Sequence, residues 1–364
     1  MPTAAQHDPE PSRTPFKQTV AWALYDFANT GYSMVGIALI FPRLYQSFWG
    51  TGLTPDAQTF WFGITVSAAS IIVAILAPFL GALAGVTGRG KVYLLRFAAL
   101  GILACASLYL VAEGNFLLAS AIYILGTVAF YCGNIFFDAL LPQVARPGKR
   151  HFVSALSFSF GYTAGFFILL ATAWLTANPA ALGLENTTHA LRFLFVFAAV
   201  WWAVFTIPLA LTLPLPPPTS SGVSFFAIAK SGLREAGATL KAIWQLPTVF
   251  WFLLAYLFYI DGVNTVIAVA TNFASTLGIE QGAIFTAFFI VQLMGIPCAL
   301  LFGWLGNRVG ARRMLFLAIG IYFGVVSYAY QLSAAPVMIF GFEIREIYLL
   351  AALIGSVQGG IQAL

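Results

Sequence analysis

The sequence has little charge: Asp, Glu, Lys and Arg together make up 8% of the 364 residues, whereas apolar residues make up 60%. A soluble globular domain usually carries about 25% charged residues. So few charges could not cover the apolar surface of a water-soluble fold. The composition therefore excludes a soluble domain and predicts an integral membrane protein.

Cysteine and histidine are also scarce, with three residues of each. The cysteines lie in three different apolar stretches, without a CxxC motif or a histidine neighbour. This pattern favours neither a disulfide nor a metal site. The histidines lie outside the apolar stretches, and the sequence shows no paired nucleophile and base. We therefore expect no catalytic residue, no metal, no cofactor and no enzymatic activity.

Long apolar stretches account for most of the chain. A helix needs about 20 apolar residues to cross a hydrocarbon core of about 30 Å. Stretches of this kind cover residues 18–42, 60–84, 92–112, 116–142, 152–176, 193–213, 248–272, 281–305, 314–332 and 347–364. The sequence thus predicts an all-α polytopic membrane protein with about ten helices. Because the last stretch is still apolar at Leu364, we expect a larger protein that is truncated here.

The distribution of Lys and Arg predicts the orientation in the membrane. If the N-terminus is cytoplasmic, only Arg43, Arg192 and Arg345 of the 17 cations lie outside the tail and the cytoplasmic connections. Such a bias is typical of cytoplasmic loops. We expect a multi-pass protein of the cell inner membrane whose surroundings are the lipid bilayer. The cations form no single patch, so nucleic acid is not an expected partner.

A proline-rich break separates two groups of spans. Prolines 214, 216, 217 and 218 stop the sixth span. We expect a disordered cytoplasmic tail (1–17), a six-helix bundle (18–213), a cytoplasmic linker (214–246) and an incomplete C-terminal bundle (247–364). In the linker, Lys230, Arg234 and Lys241 share one face of a predicted amphipathic helix. This helix lies on the membrane surface or, alternatively, is a solvated linker.

Two short motifs occur in both groups of spans. The first spans of the two groups contain Asp-x-x-Asn-Thr, as Asp26-x-x-Asn29-Thr30 and as Asp261-x-x-Asn264-Thr265. A second pair of similar segments, starting at Gly81 and Gly303, ends the second span of each group. The two similarities predict an internal duplication, and thus a transporter fold of two pseudo-symmetric bundles.

Buried carboxylates are the strongest candidates for a functional site. Only Asp26, Asp138 and Asp261 lie within spans, where insertion of an acid costs roughly 2.5 to 3.5 kcal/mol. Asp261 lies about 20 Å into its span at 1.5 Å per residue, close to the membrane centre. Each repeated motif places a carboxylate, an amide and a hydroxyl on one helix face, suited to a cation, a proton or a substrate ammonium. Alternatively, these groups bond between helices or cap a helix break at Gly262.

Other polar and aromatic residues are secondary candidates. Asn134 and Gln358 occupy corresponding positions and either line a shared pathway or pair across helices. Tyr25 and Tyr259 flank the acidic motifs, together with Trp22, Tyr32 and Tyr256, and form either a cavity wall or ordinary packing. Asp138 lies near the end of its span, where a salt bridge to Arg146 or Lys149 is the simpler interpretation.

Five segments are specific enough to compare with known families: Trp22 to Asn29, Ala139 to Pro142, Gly161-Tyr162, Ala255 to Val266 and Gln358 to Leu364. They resemble the vacuolar amino-acid effluxer-like family of the major facilitator superfamily. The resemblance implies twelve helices, a rocker-switch mechanism and amino-acid export by the eukaryotic members.

The chain departs from this resemblance in the loops after spans two and eight. Gly85 and Asn307 stand where the superfamily usually has an acid that latches the cytoplasmic gate. Arg89 and Arg308 follow these positions as candidate gating residues, with Asp138 as a candidate replacement for one latch.

Together these patterns favour a secondary active transporter. We expect alternating access for a small polar solute such as an amino acid, coupled to a proton or sodium ion, in a monomer. The alternative is a transporter-like membrane sensor that binds a solute without moving it.

Overall fold

A computed structural model of the chain describes residues 16–215, 237, 241, 244–332, 336–339 and 342–363. In this part of the chain the structure is almost entirely helical. A helix coincides with each predicted span, and seven of the helices are long and apolar enough to cross a membrane. The prediction of an all-α membrane protein is therefore confirmed. The predicted tail up to residue 15 and most of the linker, including Lys230 and Arg234, lie outside the described residues.

The first span is a composite helix. It consists of α1 (Phe16–Tyr32), a π-helical segment (Ser33–Leu39), α2 (Ile40–Leu44) and a second π-helical segment (Tyr45–Trp49). A π turn holds one residue more than an α turn, and such segments often occur at functional sites. At the first π segment the ring of Tyr32 covers Gly36, where a Cβ atom would lie 2.7 Å from the ring. The missing side chain thus leaves room for the ring.

The next five spans are regular helices with well-defined ends. They are α3 (Pro55–Thr87), α4 (Gly90–Ser107), α5 (Phe116–Val144), α6 (Arg150–Ala177) and α7 (Thr187–Thr212). The side chains of Thr54, Asn115 and Asn186 cap α3, α5 and α7 by accepting a backbone N–H of the first turn. Gly88 ends α3 in the left-handed region, with φ 61°. Local sequence signals thus set these boundaries.

The second group of helices contains α8 (Pro247–Thr276), α9 (Gln281–Val309), α10 (Ala311–Tyr330) and α11 (Glu346–Ala363). Between α10 and α11, β1 (Pro336–Ile339) pairs antiparallel with β2 (Phe342–Arg345). An ion pair of 3.1 Å joins Arg345 at the end of this hairpin to Glu280 before α9. The sequence analysis did not predict the hairpin.

Helix packing places α1 at the centre of the first group. It packs against α6 and α7, while α4 packs against α5 and α7. In the second group, α9 packs along α11, and α8 contacts its described neighbours only sparsely. The main contact between the two groups joins α6 to α9. Within the described residues, the two groups of helices therefore meet mainly along α6 and α9.

Two cations stabilise the first group from within. Lys91 is buried at the start of α4, and its Nζ donates a hydrogen bond to the carbonyl of Leu213, just beyond the end of α7. A cation at a helix C-terminus interacts favourably with the helix dipole. Arg192 donates to the carbonyl of Tyr109 at 2.6 Å and lies over the ring of Phe48. Both residues therefore have structural roles at helix ends.

Candidate functional site

Asp26 lies where α1 touches α6. A Cβ atom at Gly161 of α6 would lie 3.1 Å from Oδ2 of Asp26 and 3.3 Å from Oγ1 of Thr30. The glycine therefore lets the carboxylate approach the backbone of α6. The hydroxyl of Ser157, one turn earlier on α6, lies near the same carboxylate. The site is thus built from small α6 residues around an acid of α1.

Asp26 of α1 and Asp138 of α5 lie near each other. The two carboxylates are close enough to interact electrostatically. Asp26 is deep among the helices but keeps accessible surface, and Asp138 is exposed. The predicted salt bridge from Asp138 to Arg146 or Lys149 does not form, because no ion pair between described residues involves either acid. Within the described part of the chain, the two neighbouring acids therefore have no cationic side chain to neutralise them.

The amides of α1 and α5 meet one helical turn from the two acids. Nδ2 of Asn29 donates a hydrogen bond of 2.8 Å to Oδ1 of Asn134. Asn29 is buried, and Asn134 is half-buried. The hydroxyl of Thr30 donates to the backbone carbonyl of Asp26 at 2.7 Å. Asn29 and Thr30 of the first motif therefore have hydrogen-bond partners within their own bundle. The Asp26 carboxylate has no such bond among the described residues.

The aromatic side chains around Asp26 divide into two kinds. Trp22 stacks on Phe137 with ring centroids 4.3 Å apart and donates its indole N–H to the Phe137 carbonyl, so it is part of the packing. The hydroxyl of Tyr25 is within reach of the indole N–H of Trp202. However, neither of these two groups completes a hydrogen bond. Tyr25 therefore brings an unused polar group to the site, whereas Trp22 does not.

The candidates of the second group are only partly placed by the structure. The backbones of Asp261, Asn264 and Thr265 belong to α8, but their side chains lie outside the described part of the chain. Tyr259 packs edge-on against Tyr256 with ring centroids 5.2 Å apart. Gln358 is half-buried on α11. Whether this motif faces Asp26 thus stays a prediction.

The candidate gating arginines lie at helix ends. Arg89 follows Gly88 at the turn between α3 and α4 and is half-buried. The guanidinium of Arg308 lies 4.1 Å from the ring centroid of Trp304 on α9. Neither arginine forms an ion pair with another described residue. Their gating role stays a prediction as well.

The structure adds two polar residues that the sequence analysis missed as site candidates. Tyr162 of α6 is 8% exposed, its hydroxyl has no hydrogen-bond partner, and it interacts electrostatically with Asp26. Gln292 of α9 is also 8% exposed and lies against α6. A lone glutamine inside an apolar span was a usable signal for the second. Among described residues, no group of three His, Cys, Asp or Glu side chains could hold a metal ion.

The chain is similar to known membrane transporters. A family profile described as "Vacuole effluxer Atg22 like" matches residues 14–364. The uncharacterized MFS-type transporter YxiO of Bacillus subtilis (strain 168) is 32% identical over 351 residues, which cover 96% of this chain and 79% of that protein. Autophagy-related protein 22 of Cryptococcus neoformans is 30% identical over 162 residues, which cover 42% of this chain and 30% of that protein.

Solved structures show the same fold. The proton:xylose symporter XylE bound to 6-bromo-6-deoxy-D-glucose superposes with a TM-score of 0.63 at 16% identity, covering 97% of this chain and 81% of that chain. A partially occluded inward-open XylE from E. coli gives a TM-score of 0.60 at 16% identity, covering 96% and 84%. At this identity the similarity establishes the fold alone. With the family match over almost the whole sequence, the chain belongs to the vacuole effluxer Atg22-like family of the major facilitator superfamily.

Proposed function

We propose that the protein is a secondary active transporter that moves a small polar solute, such as an amino acid, by alternating access. One observation carries the proposal: Asp26 lies where α1 meets α6, keeps accessible surface and has no cationic partner among the described residues. Asp138 of α5 lies close enough to interact with it electrostatically. Two uncompensated acids at this position attract a proton, a sodium ion or a substrate ammonium.

The energetics of a buried acid link ion binding to movement. An ionised carboxylate within a membrane span is costly, and such residues commonly mark ion or substrate pathways. A proton or cation at Asp26 removes this cost and therefore favours a conformation in which the acid is shielded from water. Release of the ion favours a conformation in which the acid is hydrated. Differential binding of this kind is sufficient to shift the equilibrium between two states.

The polar groups beside the acids give the proposed site its chemistry. The Asn29–Asn134 pair supplies amide groups one helical turn from the two acids. The Tyr25 hydroxyl, which lies near Gly133 of α5, adds a polar group without a partner among the described residues. We include Asp261, Asn264 and Thr265 as the corresponding groups of α8. The description of the family as vacuole effluxers supports export as the direction. The bacterial relative supports a location in the inner membrane, and the distribution of cations supports a cytoplasmic N-terminus. We take the transporting unit to be a monomer.

The test is uptake into proteoliposomes that contain the full-length protein. A panel of radiolabelled amino acids would be tested with and without a pH or sodium gradient. We expect gradient-driven uptake of at least one solute by the wild type and its loss in Asp26→Asn. Asp56→Asn is the matched control, because Asp56 is an exposed acid in the first turn of α3. Wild-type uptake by Asp26→Asn would reject the ion-handling role.

A membrane solute sensor remains the second candidate function. In this case calorimetry would detect solute binding to the wild type, but no solute would cross the liposome membrane under any gradient. The same preparation thus decides between the two functions.

A further inference from the structure

A reciprocal contact joins the two bundles in the middle of α6 and α9. On α6, the ring of Tyr162 covers Gly295, where a Cβ atom would lie 2.6 Å from the ring. On α9, the side chain of Gln292 covers Gly165, and a Cβ atom there would overlap the amide nitrogen. Each helix thus supplies one large side chain and, three residues further on, one glycine that receives the large side chain of the other helix. We call these four residues the interlock.

The interlock is enclosed on several sides. Gly359 of α11 lies against the other face of the Tyr162 ring, where a Cβ atom would be 2.6 Å away. Contacts on both sides extend the same helix pair: Ser159 donates to the Ile296 carbonyl at 3.1 Å, and Phe166 meets Phe289 with ring centroids 5.6 Å apart. The interlock therefore lies in a closed contact and not on a free surface.

The two large side chains of the interlock have polar ends without good partners. The hydroxyl of Tyr162 is buried and makes no hydrogen bond to a described residue. Among the same residues, the amide nitrogen of Gln292 has only the Met34 sulfur, at 4.0 Å, in the π segment after α1. A buried polar group without a hydrogen bond destabilises the folded protein, because it loses its bonds to water and gains none in return. A purely structural contact would gain stability from apolar side chains at these positions, so the polar ends need another explanation.

Tyr162 also connects the interlock to Asp26. Tyr162 follows Gly161, the residue that touches the carboxylate, and its hydroxyl interacts electrostatically with Asp26. The other titratable groups around the carboxylate are Asp138 of α5 and Tyr25 of α1, with Tyr322 of α10 beyond Tyr162. No described lysine or arginine forms an ion pair with Asp26. Neighbouring residues of α6, Gly161 and Tyr162, thus contact the acid on one side and the other bundle on the other.

We propose that Tyr162 is a positioning residue that couples the occupancy of Asp26 to the opening of the α6–α9 contact. An ionised Asp26 is a strong acceptor and draws the Tyr162 hydroxyl toward α1, away from Gly295. A proton or cation on Asp26 removes this attraction, and the ring stays in its place between Gly295 and Gly359. The inference rests on the ion-handling role of Asp26 proposed above, and it adds the element through which the ion controls the bundle contact.

The experiment measures the distance between the bundles in the full-length protein in nanodiscs. Spin labels are attached at Lys149→Cys and Val309→Cys, which are both exposed at the same end of the α6–α9 pair. Double electron–electron resonance measures the distance between the labels, and a longer distance reports opening. The native cysteines are first replaced by alanine in a background that retains uptake. We expect two distances whose populations shift with pH or with sodium. In Tyr162→Phe we expect this shift to be lost, while both distances remain observable.

Three further variants separate coupling from packing. Gly295→Ala forces the Tyr162 ring out of its place and should deplete the shorter distance at every pH. Gly320→Ala is the matched control, because a Cβ atom at Gly320 of α10 meets nothing within 4 Å. Tyr45→Phe controls for the loss of a buried hydroxyl elsewhere, since Tyr45 contacts Ser120 within the first bundle.

Three outcomes would overturn the inference: a wild-type shift retained in Tyr162→Phe, no shift in the wild type with either ion, or an unchanged short distance in Gly295→Ala. If Asp26→Asn abolishes gradient-driven uptake while Tyr162→Phe keeps the shift in distance, the coupling role of Tyr162 is wrong and the proposed function stands. If Asp26→Asn transports normally, the proposed function itself fails.

Discussion

At the scale of single residues, Asn29 and Asn134 form a buried amide pair that holds α1 against α5. We expect Asn29→Ala to lower the free energy of unfolding by about 1–3 kcal/mol, because the amide of Asn134 then loses its partner. The double variant Asn29→Ala/Asn134→Ala should lower the free energy of unfolding by less than the sum of the two single variants. Thermal unfolding in detergent measures this coupling, with the exposed Asn307→Ala as control. Strict additivity would show that the two amides do not interact.

Individual site residues could be predicted from the sequence where one position is unusual by itself. Asp26 was predicted in this way, since an acid in an apolar span is rare and costly. The role of Tyr162 was not predicted, because the glycines around it come from α9 and α11, more than a hundred residues further along the chain. The Asp138 salt bridge was wrongly favoured because its candidate partners are near in sequence, whereas in the structure Asp138 faces Asp26.

At the scale of helices, the contact between α4 and α7 depends on one glycine. A Cβ atom at Gly101 would lie 2.5 Å from the ring of Trp202, a fully buried side chain. Because overpacking a buried contact usually costs about 1–3 kcal/mol, we expect Gly101→Ala to lower thermal stability by this amount. The displaced indole should also disturb Tyr25, which faces Trp202. Uptake should therefore decrease together with stability.

A matched change in α3 separates this effect from helix propensity. A Cβ atom at Gly81 meets nothing within 4 Å. Because alanine favours helix over glycine, Gly81→Ala should leave the unfolding temperature unchanged or raise it slightly. Equal destabilisation by the two variants would contradict the packing explanation for Gly101.

Helices could be predicted from hydropathy because burial in lipid requires long apolar segments with internally bonded backbones. The predicted spans therefore coincide with helices. The π-helical segments could not be predicted in this way, since one extra residue per turn leaves the apolar composition unchanged. The hairpin Pro336–Arg345 was also missed, because it is short and lies in a connection where hydropathy carries no signal.

At the scale of the whole molecule, the cation distribution predicts which ends of the helices face the cytoplasm. In intact cells, we expect a single cysteine at Gly148, before α6, to resist a membrane-impermeant thiol reagent. A single cysteine at Glu185, before α7, should react with it. Both positions are exposed in the structure. Labelling at Gly148 and protection at Glu185 would reverse the predicted orientation.

The overall architecture followed from an internal pattern, whereas the relation between the bundles did not. The repeated Asp-x-x-Asn-Thr motif predicted two related halves, and the similarity to solved transporters confirms the major facilitator fold. The α6–α9 contact is built from tyrosine, glutamine and glycine residues that do not belong to any repeated motif. A contact between two halves depends on pairs of residues, and a single sequence does not show which residues form a pair.

The π-helical segments of the first span bear on how relatives should be aligned. A residue inserted into a helix can be absorbed as a wide turn, without a loop and without loss of membrane depth. Between Ser33 and Leu39, a gap in the middle of a transmembrane segment is therefore structurally reasonable, although alignment methods usually penalise it. Within this chain, α8 is α-helical throughout, whereas the first span contains π-helical segments. After Tyr32, residues at equivalent sequence positions of the two spans therefore no longer point in equivalent directions. A residue-by-residue alignment of the two repeats is therefore valid at Asp26 and its motif. Beyond the motif, the alignment needs a gap within the π-helical segment.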